Sequence, residues 1–182
     1  MRFFIFVYTG CMLLRDCLEN IEIKKMIGSL DIEIKAISQD TRDNNLDQGL
    51  YFAVPGTVVD GHKFIEQAIE KGVVTIICER LPEIILPGIC YIQVVDSSVV
   101  VGQIAHNFYN KPSDRLKVIA VTGTNGKTTV ASYVAQSLVE LNQKPLLLST
   151  AGDYFVSQKI EIPRKASSSL EVIELHKQLR IF

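Results

Sequence analysis

A short segment rich in glycine and threonine has the residue types of a phosphate-binding loop. Glycines let backbone N–H groups close around an anion, and a helix that begins just after them adds unpaired donors and partial positive charge. A lysine at the end of such a loop can reach terminal phosphates, and the hydroxyl that follows can bind Mg²⁺. The residues in this pattern are Gly123, Thr124, Asn125, Gly126, Lys127, Thr128 and Thr129. Lys127 is the candidate for catalysis, and Thr128 is the candidate metal ligand.

The segments on either side of this loop have the patterns of a strand and a helix. The apolar run 116–121 predicts a buried strand. After the loop, apolar residues recur on one helical face, at Val130, Ala131, Val134, Ala135, Leu138 and Leu141. Val121 stands where a strict Walker sequence has its first glycine, so the loop is the shorter T-G-T-N-G-K-T-T. The strand–loop–helix context favours a phosphate site over an ordinary turn.

The composition is that of a globular protein without an electrostatic preference for nucleic acid. Of the 182 residues, 47% are apolar and 21% are charged, and the formal net charge is −1. The four cysteines, at positions 11, 17, 78 and 90, form no C-x-x-C pair and no metal-ligand spacing with the three histidines. Free thiols within apolar runs are typical of a reducing compartment, so we predict a cytoplasmic protein.

The amino terminus allows a different interpretation of the location. Arg2 precedes the apolar run 3–8, and Cys11 follows, as in a short signal peptide or a lipoprotein site. A single arginine is a weak basic region, however, and Tyr8 is unusual three residues before the cysteine. The run is also too short to span a bilayer. With a phosphate-binding loop in the same chain, these features favour the cytoplasm and no contact with a membrane.

Strand-like and helix-like patterns alternate along the chain. Helices are predicted over 13–26, 63–71, 97–109 and 170–179, strands over 32–37, 50–54, 73–78, 90–95 and 146–149, and a hairpin or short strands over 154–162. This alternation predicts an α/β fold with an open sheet. Pro112 ends a helix within a polar segment, so we predict two domains, 1–112 and 113–182.

Several sequence blocks, in order along the chain, resemble the Mur ligase family. Asp40-Thr41-Arg42 is similar to the D-S-R of that family, and residues 49–56 are similar to its G-x-L-F-V-A-x-x-G. The sequence D-G-H-K-F-I at 60–65, with Ala68 and Gly72, resembles its D-G-x-x-F-I-x-x-A-x-x-x-G. N-F-Y at 107–109 with P-S at 112–113 resembles its domain boundary. The resemblance covers about residues 18 to 180 and is closest to the branch that adds the third residue of the peptide.

That resemblance implies a fold and a reaction. The fold is a Mur-ligase-type α/β domain that binds UDP-MurNAc, followed by the start of a P-loop ATPase domain with a parallel sheet. The reaction is an ATP- and Mg²⁺-dependent step of peptidoglycan synthesis. The D-Glu carboxylate of UDP-MurNAc-L-Ala-D-Glu is activated as an acyl phosphate and then joined to diaminopimelate or lysine. The selecting residues lie outside this chain, so the sequence leaves that choice open, and we expect these 182 residues alone to lack ligase activity.

The family's site residues carry over to matching positions. By resemblance, residues 123–129 would bind the phosphates of ATP together with Mg²⁺, and Lys127 would stabilise the transferring phosphoryl group. The uridine nucleotide would contact Gln39, Thr41, Thr57, Val58 and Val59. The muramyl substrate would contact Ser167 and Ser168, which stand with Ala166 in place of an N/H-T-T segment.

Most of these residues also have simpler interpretations. Asp40 and Arg42 could form only a surface ion pair, and 167–169 could only cap the helix that begins at Leu170. His62 is more typical of a turn or cap than of a catalyst. His106 and His176 fall within predicted helices and are expected to take no part in chemistry.

Other functions remain open at this stage. A folylpolyglutamate-type ligase or a small kinase could use the same loop, although the blocks around Asp40 and Asp60 disfavour both. A non-catalytic remnant that binds a nucleotide or a UDP-sugar is a further alternative. The region after Pro112 is too short to cover both faces of a parallel sheet, so we expect the apolar runs 118–121 and 146–148 to stay partly exposed.

Overall fold

A computed structural model describes residues 10–56, 59–162 and 171–181. The strands are β1 (Met12–Leu13), β2 (Lys25–Ile27), β3 (Glu33–Ile34), β4 (Ala36–Ser38), β5 (Gly49–Ala53), β6 (Val73–Cys78), β7 (Cys90–Gln93), β8 (Leu146–Ser149), β9 (Gly152–Phe155) and β10 (Gln158–Ile160). The helices are α1 (Leu14–Cys17), α2 (Ile65–Glu70), α3 (Ser97–Phe108), α4 (Lys127–Glu140) and α5 (Val172–Ile181). Two 3-10 turns, Gly61–Phe64 and Pro112–Arg115, precede α2 and follow α3.

Five strands form the main sheet, in the spatial order β2-β7-β6-β5-β4. The last four strands of that order are parallel to one another, and β2 joins the edge antiparallel to β7. The register places Leu50 beside Thr75 and Ile77 beside Ile92. Strand β5 is buried along its whole length, as expected for a parallel sheet covered on both faces. The predicted α/β class with a parallel sheet is therefore confirmed.

Helices cover both faces of this sheet, because successive side chains of a strand point to opposite sides. One face packs against α1 and α3, through a buried cluster that includes Leu14, Leu50, Phe52, Ile77, Ile92, Ile104 and Phe108. The other face packs against α2, through Tyr51, Ile65, Ala68, Ile76 and Tyr91. The carboxyl ends of the parallel strands lie together at one edge, where the loops after β4, β5, β6 and β7 begin.

The helix predicted over 13–26 is wrong beyond Cys17, where α1 ends. The Asn107 side chain donates to the backbone oxygens of Cys17 and Glu19, at 3.0 and 2.9 Å. Those carbonyls are thus bonded to α3 and not to a continuing helix, and Asn20 takes a φ of 62°. The strand predicted over 32–37 is divided at Lys35, whose N–H donates to the Gln48 carbonyl.

The segment before the glycine loop differs from its prediction. No helix or strand forms within 116–126, and Val118 and Ile119 are 62% and 61% exposed, so the buried strand predicted over 116–121 is wrong. A parallel strand needs a neighbour that bonds to it, and β8 instead pairs antiparallel with β9. The expected exposure of this run is confirmed, and β8 is likewise only half-buried.

Strands β1 and β3 pair antiparallel with each other, and the remaining elements form two further small units. Strands β8, β9 and β10 make an antiparallel sheet, with the predicted hairpin turning at Val156 and Ser157, and α4 lies against β8. Helix α5 packs on α3, where Val172 and Ile173 contact the main hydrophobic cluster. Among the described residues, no helix is both long enough and apolar enough to cross a membrane.

Candidate functional site

The glycine loop has the backbone conformation that its sequence requires. Gly123 and Gly126 have φ values of 147° and 77°, which are conformations that side-chain-bearing residues rarely adopt. Gly126 is the residue that immediately precedes α4, and Lys127 is the first residue of the helix. A Cβ atom on Gly126 would meet no heavy atom within 4 Å, so there is open space beside the loop.

Lys127 folds back over the loop that precedes it. Its ammonium donates to the backbone oxygen of Gly123 at 2.6 Å and to that of Thr124 at 3.3 Å. The side chain is thereby held above the loop at the amino-terminal end of α4, where an anion would meet both the ammonium and the helix donors. Thr128 is half-buried, and Thr129 is exposed.

The donors of this loop fit the phosphates of a nucleotide. The first backbone bond of α4 runs from the Val130 N–H to the Gly126 carbonyl, at 2.9 Å. The N–H groups of 127–129 therefore have no acceptor within the helix. They lie beside the lysine ammonium and the open space at Gly126, which together make a set of donors for an anion. Within the described ranges, no three His, Cys, Asp or Glu side chains cluster so that they could hold a metal ion.

A second group of polar residues lies where β4 ends. The buried Thr41 hydroxyl donates to Gln67 Oε1 at 2.7 Å, and the Lys71 ammonium donates to the Thr41 carbonyl at 2.5 Å. Both partners come from α2 or its end, so this helix fixes the loop after β4. Gln39 is half-buried beside Thr41.

Asp40 and Arg42 form the ion pair that the sequence left as an alternative. The Arg42 guanidinium donates through Nε and Nη2 to the Asp40 carboxylate, at distances of 2.8 to 3.2 Å. The hydrogen bond and the charge of Asp40 raise the pKa of Arg42. The arginine is 85% exposed, so the pair stabilises the fold little.

The loop after β5 is attached to the end of β6 by charged side chains. Pro55 and Asp60 form an antiparallel bridge at the base of this loop. The Asp60 carboxylate pairs with His62 Nδ1 at 2.7 Å and with Arg80 Nη2 at 2.5 Å. Hydrogen bonds from the His62 backbone and ring lower the pKa of Asp60. The prediction that His62 lies in a turn is confirmed, since the Asp60 side chain caps the 3-10 turn that contains it.

Comparison with known proteins agrees with this arrangement. A model described as the Mur ligase family, catalytic domain, matches residues 34–125, about half of the chain. The chain belongs to the Mur ligase family. A second model, described as the Mur ligase middle domain, matches residues 121–182, which include the glycine loop and α4.

The most similar relatives of this chain include enzymes named UDP-N-acetylmuramoyl-L-alanyl-D-glutamate–2,6-diaminopimelate ligase. That of Bacteroides fragilis is 41% identical over 150 residues, which are 82% of this chain and 30% of the relative. A Clostridium acetobutylicum enzyme of that name is 36% identical over 165 residues, which are 90% of this chain and 34% of the relative. The chain thus spans about a third of the length of these relatives.

A solved structure supports the fold of this chain. A crystal structure of MurF from Acinetobacter baumannii superposes with a TM-score of 0.56 at 24% identity. The match covers 76% of this chain and 29% of the MurF chain.

The structure of this chain shows which of the candidate residues share a location. Gln39, Thr41 and the exposed Val59 belong to loops at the carboxyl edge of the main sheet. Residues 123–129 form the separate glycine loop. Thr57, Val58, Ser167 and Ser168, with the proposed helix cap at 167–169, lie outside the described residues.

Sequence reasoning missed three residues at the carboxyl edge: Gln67, Glu79 and Arg80. Glu79 and Arg80 come directly after the apolar run of β6, and this position at the end of a parallel strand is a signal that could have identified them. Gln67 carries no such signal, because its contact with Thr41 joins residues that are 26 positions apart in sequence.

Proposed function

We propose that this chain provides the nucleotide-sugar site and the ATP site of a MurE-type ligase in peptidoglycan synthesis. The substrate is UDP-MurNAc-L-Ala-D-Glu, and the residue that the enzyme adds is diaminopimelate. The observation that carries this proposal is the glycine loop with Lys127 at the start of α4, in a Mur ligase with relatives named for this reaction at 36 to 41% identity.

In this proposal the glycine loop binds the triphosphate. The backbone N–H groups of 123–129 hold the phosphate oxygens, and the Thr128 hydroxyl holds Mg²⁺. The Lys127 ammonium, which donates to the Gly123 carbonyl oxygen at 2.6 Å, would turn to a phosphate oxygen instead. The phosphate oxygen is the stronger acceptor because it carries negative charge.

The substrate carboxylate takes the γ-phosphoryl group of ATP and becomes an acyl phosphate as ADP leaves, and the incoming amine then displaces phosphate to form the amide. Lys127 stabilises the negative charge that spreads over the phosphoryl oxygens. Its position at the helix terminus adds the favourable field of α4 to that of the ammonium.

The uridine nucleotide binds at the carboxyl edge of the main sheet, where open α/β sheets hold their ligands. Gln39, Thr41, Thr57, Val58 and Val59 contact the nucleotide, and Ser167 and Ser168 contact the muramyl part. The Thr41 hydroxyl supports this role, because it donates its proton to Gln67 and keeps its lone pairs for a donor on the ligand.

The proposal divides the chain into a UDP-MurNAc domain, 1–112, and an ATP domain, 113–182. It is supported by the backbone after α3, where Asn110 and Lys111 have φ values of 65° and 52° and Pro112 begins a 3-10 turn. The use of ATP and of a nucleotide-sugar precursor assigns the reaction to the cytoplasm.

Calorimetric titration with ATP and Mg²⁺ tests the phosphate site. Lys127→Ala should weaken binding by roughly ten- to a hundredfold, since a hydrogen bond to a charged group contributes about 1.5–3 kcal/mol. Lys144→Ala, which removes an exposed lysine from the turn after α4, is the matched control and should bind ATP like the wild type. Equal ATP affinity in the wild type and Lys127→Ala would contradict the proposed role.

Titration with UDP-MurNAc-L-Ala-D-Glu tests the nucleotide-sugar site in the same chain. The wild type should bind this ligand, and Lys127→Ala should bind it equally, because the lysine belongs to the ATP site. A wild-type chain that does not bind the ligand would overturn the nucleotide-sugar part of the proposal.

A further inference from the structure

His62 lies between the ends of β5 and β6 and bonds to both. Its side chain is 11% exposed. On one side, Nδ1 is 2.7 Å from Asp60 Oδ1. On the other side, Nε2 accepts from the backbone N–H groups of Glu79 and Arg80, at 3.1 and 3.3 Å. The imidazole ring thus joins the loop after β5 to the first two residues after β6.

These contacts determine the protonation of the ring. Because Nε2 accepts two N–H groups, its lone pair is in use and it carries no proton. Nδ1 therefore carries the proton and donates it to the Asp60 carboxylate. The ring is therefore held with Nδ1–H toward Asp60, and the other tautomer would break the bonds to Glu79 and Arg80.

The ring also determines where Arg80 lies. Asp60 Oδ1 accepts both from the His62 ring and from the His62 backbone N–H at 3.0 Å, which leaves Oδ2 for Arg80 Nη2 at 2.5 Å. His62 holds the Arg80 backbone and also orients the carboxylate that holds the Arg80 guanidinium. The arginine side chain is 69% exposed, so its remaining N–H donors face solvent at the carboxyl edge.

Hydrogen bonds hold the backbone on both sides of the His62, Asp60 and Arg80 side chains. The Gly61 N–H donates to the Val54 carbonyl at 2.9 Å, and the Tyr51 hydroxyl donates to the Gly61 carbonyl at 3.1 Å. A Cβ on Gly61 would lie 2.7 Å from the Val54 oxygen, so the turn packs directly on the end of β5. On the other side, the Glu79 carboxylate accepts from the N–H and the hydroxyl of Ser97 at the start of α3, both at 2.9 Å. The backbone next to Arg80 is therefore held in place by these bonds.

We propose that His62 is a positioning residue that holds Arg80 at the carboxyl edge of the sheet to bind the diphosphate of the nucleotide-sugar substrate. This inference rests on the proposed function, because it assigns an anion contact within the same nucleotide site. A planar guanidinium with one donor fixed by a carboxylate is well suited to phosphate oxygens.

Two substitutions distinguish the contacts of the two ring nitrogens of His62. In His62→Gln, the side-chain oxygen can reach the position of Nε2 and accept from Glu79 and Arg80. In His62→Asn, the shorter amide can replace Nδ1–H toward Asp60 but leaves the two backbone N–H groups without their acceptor. The proposal requires the Nε2 contact, so the glutamine variant should keep the function and the asparagine variant should lose it.

The experiment measures the affinity of the full 182-residue chain for UDP and for uridine, which differ by the diphosphate. His62→Asn and Arg80→Ala should each weaken UDP binding roughly tenfold, which corresponds to about 1.4 kcal/mol, and should leave uridine binding unchanged. The double variant should bind UDP no more weakly than Arg80→Ala alone, because both substitutions remove the same contact with the diphosphate. Arg15→Ala, which breaks the exposed Arg15–Asp31 ion pair, is the control and should bind UDP normally.

NMR of the ring nitrogens should show the Nδ1–H tautomer in the wild type and a change in the Arg80 amide signal in His62→Asn. If His62→Asn does not fold, Arg80→Ala still decides, since its side chain is exposed. Equal UDP affinity in the wild type and Arg80→Ala would overturn the inference and leave the proposed function intact. A wild type that binds neither UDP nor UDP-MurNAc-L-Ala-D-Glu would overturn both.

Discussion

His106 on α3 and His176 on α5 meet edge to face, with ring centroids 5.4 Å apart and planes inclined by 62°. The pair lies in the contact between α3 and α5, in which Val172 and Ile173 pack on the main cluster. His176 Nδ1 is buried and has no hydrogen-bond partner among the described residues. Around His106 lie the Ser113 hydroxyl, 3.3 Å from Nδ1, and the Asp114 carboxylate, 3.4 Å from Nε2.

The packing of α5 on α3 should therefore depend on pH. Burial, followed by the charge of His106, lowers the pKa of His176 in the packed state. The unpacked helix binds a proton more readily, so packing is favoured at neutral pH and is weakened as the pH falls through the ordinary histidine range near about 6.5. On α5, the Glu174 carboxylate is paired with the Lys177 ammonium at 3.5 Å.

Amide hydrogen exchange of residues 172–181 measures this effect. Exchange should be faster near pH 5.5 than near pH 7.5 after correction for the intrinsic rates, because protonation of His176 favours the unpacked helix. His176→Phe keeps an aromatic ring against His106 but cannot bind a proton, and its exchange should be much less sensitive to pH. Equal pH sensitivity in this variant would rule out His176 as the titrating group.

The bond between Thr41 and Gln67 should contribute to stability. Thr41→Val removes the hydroxyl but keeps the shape, and Gln67→Leu removes the acceptor. We expect a coupling energy of about 0.5–1.5 kcal/mol between the two changes, measured by urea unfolding of the two single variants and the double variant. A coupling near zero would mean that water replaces this bond without loss, which the exposure of Gln67 would then explain.

The sequence predicts elements well where the signal is local. The bounds of β6, Val73–Cys78, follow from an apolar run between Gly72 and charged residues, and α3 follows from a regular apolar pattern. These features depend on neighbouring residues, so they can be recognised without the fold.

Predictions fail where distant residues decide. Helix α1 ends early because Asn107, some 90 positions away, donates to the Cys17 carbonyl. The run around Val118 forms no strand because β8 bonds to β9 and not to it. In the candidate site, the glycine loop is a local motif, whereas the contact between Asp60 and Arg80 joins residues 20 positions apart and becomes visible only in the structure.

Two glycines with nearly the same backbone allow a matched test of the glycine loop. Gly126 and Gly88 have φ values of 77° and 83°, and a Cβ on either would meet no heavy atom within 4 Å. Alanine at each position should thus cost a similar free energy of unfolding, about 1 kcal/mol, from the backbone conformation alone. Only Gly126→Ala should weaken ATP binding, because its methyl group would occupy the space beside the Lys127 ammonium. Calorimetry would contradict this expectation if both variants bound ATP like the wild type.

The segment 116–126 should be the first site of proteolysis. It has no helix or strand, and Lys117 is exposed between apolar residues that are themselves exposed. Backbone outside helices and strands can enter a protease active site without prior unfolding. Lys25 and Lys71 lie in β2 and at the end of α2, where cleavage requires local unfolding. Limited trypsin digestion should therefore cut first after Lys117, and Lys117→Gln should slow that first cut while the sheet of residues 25–93 survives in both proteins.

The two fragments from this cut should stay together at neutral pH. Helix α5 lies on the carboxyl-terminal side of the cut but packs on α3, on the other side, so the contact of Val172 and Ile173 with the main cluster still joins the pieces. Size-exclusion chromatography after digestion should show one peak that contains both fragments. Val172→Asp, which places a charge in this contact, should release the carboxyl-terminal fragment. Separate elution of the wild-type fragments, or a first cut after Lys71, would show that α5 does not hold the two halves as the structure indicates.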